Sequence, residues 1–276
     1  MELWQVTSLC IGLVVLAVPL FVLPSQVATP LRAYHPVTDP IDTAALGIAL
    51  SVTAFVAVAK LLQVPLTDVY ITWPRRTAVR WGLVGVLIAS IVITAAMHSI
   101  GGTLLIRYDG VTSVLFVLLV AFALALWASI LEEFLMRGYL LSIVGQRWNW
   151  PAAIVVTAAL FGLLHNGHAT DSAGTVLYVG TAGMAGVLFA VVTIHTGNVW
   201  GAVAIHAAWN TLFSTHLLFF RTVHDTDGDA LFTYEMSNVP FLFGGDLSYV
   251  AESPFAILVL GAGVGAVFSY YHRRER

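Results

Sequence analysis

The chain has little of what a water-soluble domain is built from. Only 10% of its 276 residues are charged, against 59% hydrophobic, and the mean hydropathy is +0.88. Such a composition excludes an ordinary globular protein and leaves a polytopic membrane protein. Cys10 is the only cysteine, so an intramolecular disulfide and a cysteine-cluster metal site are both excluded. The net charge of −3, without a basic stripe interleaved with aromatics, gives nucleic acid no surface to bind. There is no sequence repeat, low-complexity tract or soluble domain. The glycines lack a Walker or Rossmann context, and neither G-x-S-x-G nor H-E-x-x-H is present.

What the chain does have is apolar runs of about 18 residues or more, enough to cross roughly 30 Å of hydrocarbon. Hydropathy predicts an all-α fold of about eight transmembrane helices in one membrane domain, residues 1–276. The helices fall near 5–24, 44–62, 80–100, 112–145, 151–165, 173–194, 199–220 and 254–271. The first run lacks a basic leader and a small-residue cleavage site, so it reads as a retained helix. The fourth is too long for one upright crossing and the fifth is short, which makes the two a tilted hairpin. With eight helices, Lys60, Arg75, Arg76, Arg80, Arg147, Arg273, Arg274 and Arg276 fall on the side of the C-terminus, against Arg32, Arg107 and Arg221 on the other. That asymmetry places both termini in the cytoplasm and the protein in the cell membrane.

Arg221 to Ser253 reads as a solvated acidic outer loop. Its DTDGDALFTYE stretch is a poor calcium loop, with Ala230 and Met236 where an EF-hand needs Gly and Glu. Gly180, Gly183 and Gly186, and Gly261, Gly263 and Gly265, are expected to let helices approach closely.

Against this apolar background, LWASILEEFLMRGYLLSIV (Leu126–Val144) carries Glu132, Glu133 and Arg137 inside a helix. Each ionisable group at membrane depth costs at least about 2.5–3.5 kcal/mol on insertion scales, so it pairs or does chemistry. Glu133 and Arg137 are four apart and share a face, whereas Glu132 and Arg137 differ by about 140° around the axis. The spacing therefore pairs Glu133 with Arg137 and leaves Glu132 unneutralised. A buried packing cluster and a reactive site fit this motif equally well. Two further helices carry polar residues in register: FGLLH puts Phe161 and His165 on one face, and HAAWN does the same for His206 and Asn210. Glu132 and His165 both lie about 20 Å from the turn joining their helices and can meet across it.

These three motifs, EEFLMR, FGLLH and HAAWN, in this order on successive apolar helices, resemble the CPBP group of intramembrane proteases. That group includes the type II CAAX prenyl proteases, the Abi or bacteriocin-immunity proteins and lysostaphin-resistance-type relatives. The resemblance covers about residues 126–213, and the flanking helices share only hydropathy with it. It implies an intramembrane endopeptidase with a polar catalytic cavity, in which Glu132 and His165 activate a water while His206 and Asn210 hold the oxyanion. Glu133, Arg137 and Phe161 are implied as supporting residues. The substrate expected is a peptide or membrane protein, lipidated in the CAAX branch, met at the lipid bilayer. A divalent metal such as zinc would have Glu132, His165 and His206 as ligands, but Asn210 is a poor zinc ligand, and the reading favours glutamate-activated water without a bound metal.

Other residues are weaker candidates. His35, His98, His168, His195, His216, His224 and His272 fall near helix ends or in loops, with His168 the nearest to a motif. Trp209, beside Asn210, is expected to pack or anchor at the interface, with lining a substrate groove as its second use. The rival reading is a non-catalytic transporter, scaffold or immunity protein using Glu132, His165 and His206 as a proton relay. No mirrored second half or paired broken helices support transport.

Overall fold

The structure, a computed structural model, describes residues 12–13, 15–24, 39–72, 76–107, 110–165, 172–214, 217–221 and 230–273. Cys10, His35, His168, His216, His224 and the Asp225–Asp229 part of the calcium-like stretch lie outside the described residues.

Eight helical rods follow the predicted order. They are α1 (Val15–Pro24), α2 (Asp39–Leu61), α3 (Arg76–Ser99), a continuous span formed by α4 (Val111–Glu133), a π-helical turn (Phe134–Leu140) and α5 (Leu141–Arg147), then α6 (Trp150–Leu164), α7 (Ser172–Thr196), α8 (Trp200–Leu212) and α9 (Pro254–His272). Among the described residues five of them are long and apolar enough to cross a membrane alone: α2, α3, the α4–α5 span, α7 and α9. The described part of α1, together with α6 and α8, is shorter than the roughly 20 residues a crossing needs. Large apolar side chains stay exposed along the outer faces, among them Val79, Leu83 and Leu87 on α3 and Leu115, Leu119 and Phe122 on α4. In water such patches would drive association, whereas in lipid they face their proper solvent.

Local chemistry sets where the short helices begin. Asn149 accepts a hydrogen bond from Ala152 N at 2.8 Å and Pro151 follows it, a cap that starts α6 directly after α5 ends. The loop 62–72 closes this end of the bundle: Val199 N donates to Tyr70 O at 3.0 Å and Trp200 Nε1 to Thr72 O at 2.6 Å. The α2–α3, α5–α6 and α7–α8 connections thus share one end.

The other end differs from expectation. The seventh helix stops at Leu212 rather than near residue 220, and Leu218–Arg221 is a strand, β2. It joins β1 (Gly102–Ile106) and β3 (Phe232–Met236) in a small sheet of order β1-β3-β2, with β1 antiparallel and β2 parallel to β3. The described part of the segment read as a solvated loop is therefore structured. Phe220, Tyr234, Met236, Phe243 and Val250 are buried in one cluster with Val92, Ala96 and Ile100 of the α3 end. Tyr234 donates from its hydroxyl toward Ile100 O at 2.7 Å, tying β3 to that end. The period-two alternation that marks strands is masked here because apolar residues fill both faces.

The glycine runs prove unequal. A Cβ on Gly186 would meet Ala158 Cα and Arg137 Nη2 at 3.0 Å, so α7 can lie against α6 and the arginine only with glycine there. At Gly180, Gly183, Gly261 and Gly263 the same atom would find contacts of 3.4–3.8 Å, and at Gly265 none within 4 Å. Close approach is thus confined to one position of the two runs.

Candidate active site

The polar motifs converge where the α4–α5 span passes α6, α7 and α8. Phe134–Leu140, the π-helical turn directly after the two glutamates, is buried all round. Widened turns of this kind often occur at functional sites. Arg137 donates from Nη1 to Glu133, at 3.3 Å to Oε1 and 3.2 Å to Oε2, and both side chains are 0% exposed. Its guanidinium carbon lies 4.4 Å from the centre of the Phe161 ring and 5.2 Å from that of Phe189. These aromatic faces replace solvent around a charge that the bilayer would otherwise penalise.

The helical phase gave the Glu133–Arg137 pair correctly but not its reach. His206 Nδ1 lies 2.9 Å from Glu133 Oε1, so Glu133 holds two partners on two helices. An ionised carboxylate only accepts, which puts a proton on Nδ1 and leaves Nε2 as the nitrogen available to a ligand. Phe189 stacks on this imidazole at 5.1 Å, and Phe161 meets it edge-on at 5.7 Å. Ring position, tilt and tautomer are thereby fixed by three neighbours.

Glu132 behaves differently. Its Oε2 is 3.6 Å from His165 Nε2, and the two side chains are 26% and 38% exposed. That separation is too long for a hydrogen bond, and Glu132 Oε2, itself shielded, has no hydrogen-bond partner among the described residues. His165 Nδ1 lies 2.7 Å from Phe161 O, and because a carbonyl only accepts, Nδ1 carries a proton here too. The F-x-x-x-H spacing has this mechanical meaning: residue 161 supplies both the carbonyl that orients the ring and an aromatic face 4.4 Å from it.

A cavity of about 130 Å³ carries His165, His206 and Asn210 on its wall with Trp209 and Tyr178, and Glu132 reaches it through its contact with His165. It meets a second cavity, about 430 Å³, whose wall adds Phe213, Phe219 and Phe220 at the sheet end. Trp209, Asn210, Tyr178 and Glu252 belong to both. Trp209 thus lines the groove as well as packing on Phe213, at 4.6 Å between rings. Glu252 was not read from the sequence as a site residue. Its only signal there is an acid two residues before a proline that opens an apolar helix.

The residues that a metal would need are not gathered. His165 faces Glu132, His206 faces Glu133, and the Phe161 ring touches both imidazoles. Among the described residues no three His, Cys, Asp or Glu side chains converge as a ligand group. The set Glu132, His165 and His206 therefore does not fit a metal in this arrangement. Of the other histidines, His195 bonds Val191 O through Nδ1 at 2.9 Å and packs on Tyr271, while His98 and His272 are exposed.

Comparison with known families decides the class. The family model of type II CAAX prenyl endopeptidases, Rce1-like, matches residues 113–212, from the start of α4 to the last residue of α8. This helical core belongs to the CAAX protease family. All three motifs lie within the CAAX-protease match, and the sheet and α9 lie outside it. A search of curated proteins found no match to the chain.

Proposed function

We propose that the protein hydrolyses a peptide bond in this cavity, with Glu132 and His165 activating the attacking water and His206 and Asn210 receiving the oxyanion. The observation that carries the reading is Glu132 Oε2, a buried acceptor without a hydrogen-bond partner, 3.6 Å from His165 Nε2. Such an atom costs about 1–3 kcal/mol unless something hydrogen-bonds to it. A water between the two groups satisfies both and places its oxygen beside the cavity. On attack, Glu132 takes the proton, the carbonyl oxygen gains the charge, the C–N bond breaks and the proton passes to the leaving amine. Asn210 and His206, on one face of α8, donate to that oxyanion. Since the Nδ1 proton of His206 is engaged by Glu133, its Nε2 donates when the ring is an imidazolium. No step requires a metal, so chelators are expected to leave hydrolysis intact.

Phe213, Phe219 and Phe220 give the outer cavity an apolar wall suited to a membrane-embedded or lipid-linked peptide. Lys60, Arg76, Arg80 and Arg147 all lie toward the end opposite the sheet, and by the positive-inside bias that end is cytoplasmic. The cavity then opens on the other side of the cell membrane. Cysteines introduced singly at 105 and at 147 test this: a membrane-impermeant maleimide should label the first and spare the second in intact cells.

The hydrolysis itself is tested with purified protein in detergent and a quenched-peptide panel that includes prenylated peptides. Cleavage lost in both Glu132→Gln and Asn210→Ala supports the proposal. Cleavage that survives in both removes it. Function retained by Glu132→Asp but indifferent to Asn210 would favour a proton relay instead.

A further inference from the structure

Glu252 is a carboxyl group in the wall of both cavities, on a segment outside the family match. Its position is built rather than incidental. Ser253 caps α9, accepting from Ala256 N at 3.2 Å, and Pro254 opens that helix. Glu252 N donates to Tyr249 O at 3.0 Å, and Ser248 Oγ donates to Glu252 O at 2.9 Å. The residue is therefore gripped from both sides, with its side chain meeting Tyr178 and Asn210 at the junction of the two chambers. Among the described residues no Lys, Arg or His pairs with it, in contrast to Glu133, which has Arg137 and His206. An enclosed carboxylate without a counter-charge is costly, and a cation brought by a ligand would remove that cost.

We propose that Glu252 is a specificity-determining residue that receives a cationic group, a primary ammonium or guanidinium, on the substrate residue next to the bond cut at Asn210. The inference rests on the proposed peptidase reading and names the substrate class. The apolar wall of Phe213, Phe219 and Phe220 takes the neighbouring part of the chain, and Glu252 supplies the single charged contact. Ligand pockets commonly combine an apolar lining with one such orienting group.

The contact depends on pH in a defined direction. Burial pushes the Glu252 carboxyl up to about 8, so it is largely protonated at neutral pH and must lose its proton to hold a cation. Affinity for a cationic ligand then weakens by up to about tenfold for each pH unit below 8. The other titratable groups facing the cavities are Tyr178 on α7, Tyr249 beside Glu252, His165 at the end of α6 and His206 on α8. All are shared by wild type and variant, so a Glu252 substitution isolates its share.

The test is binding, measured by fluorescence anisotropy on the full-length protein in detergent. Two peptides carry a reduced, uncleavable bond and differ only in lysine or norleucine beside it. A charged hydrogen-bonded contact implies that the lysine peptide binds about ten- to a hundredfold tighter at pH 9. The ratio should fall toward one at pH 6, and at both pH values in Glu252→Gln. In Glu252→Lys the preference should pass to a glutamate peptide, a reversal that loss of fold cannot imitate. A wild-type ratio near one at pH 9, or a ratio unchanged in Glu252→Gln, overturns the inference. Failure to hydrolyse any cleavable peptide overturns the peptidase reading yet leaves this ratio measurable. Hydrolysis without lysine selectivity overturns the inference about Glu252 alone.

Discussion

Glu132 and Glu133 are adjacent in sequence and opposite in circumstance. Glu133 is fully buried, holds Arg137 on its own helix and His206 on α8, and is walled by Phe161 and Phe189. Glu132 is partly exposed, touches only the similarly exposed His165, and keeps one oxygen without a hydrogen bond. The difference teaches that pairing and burial divide labour within a dipeptide: a carboxylate with every partner in place holds structure, and one with an unmet acceptor is positioned to react.

Substitutions can break that division in order of expected effect. Glu132→Gln should lower kcat for peptide hydrolysis by about 10²- to 10⁴-fold, the contribution of a positioned general base, with little change in thermal midpoint; an equal loss of stability would show that Glu132 also holds the fold. Glu133→Gln removes one partner from a buried ion pair and should cost about 3–5 kcal/mol, read as a lower unfolding midpoint in detergent. Asn210→Ala should lower kcat by about 10²- to 10³-fold and leave peptide binding nearly intact in an anisotropy assay. Smallest, Gly186→Val crowds Ala158 and Arg137 and should cost about 1–3 kcal/mol. If that variant also shifts the pH profile of hydrolysis, Arg137 and Glu133 are tuning His206 as well as holding it.

Sequence periodicity carried much of this. Order and approximate length of the helices were legible because lipid demands long uniform runs. The Glu133–Arg137 pair was legible because it lies within one helix, and the Glu132–His165 contact because both sit the same distance from one turn. The bond from His206 to Glu133 was not, since it depends on how α8 rotates against the span, which no local pattern records. The strand at Leu218–Arg221 was hidden in an apolar run that a helix fills equally well. Glu252 escaped because acids in a polar stretch read as solvated until the chain is seen folding that stretch inward.

The π-helical turn at Phe134–Leu140 bears on how such a chain can vary. Each residue in it is buried, and its extra width sets the rotation between the glutamates before it and α5 after it. Replacing a side chain there alters packing locally. Deleting one residue would instead restore α-helical winding and turn everything downstream by about 100° relative to the glutamates. The core can therefore drift in the identity of its residues, but hardly in their number. Length between the glutamates and the α5–α6 turn is a constraint separate from composition, and homologues that keep the chemistry should differ there by substitution and not by insertion or deletion.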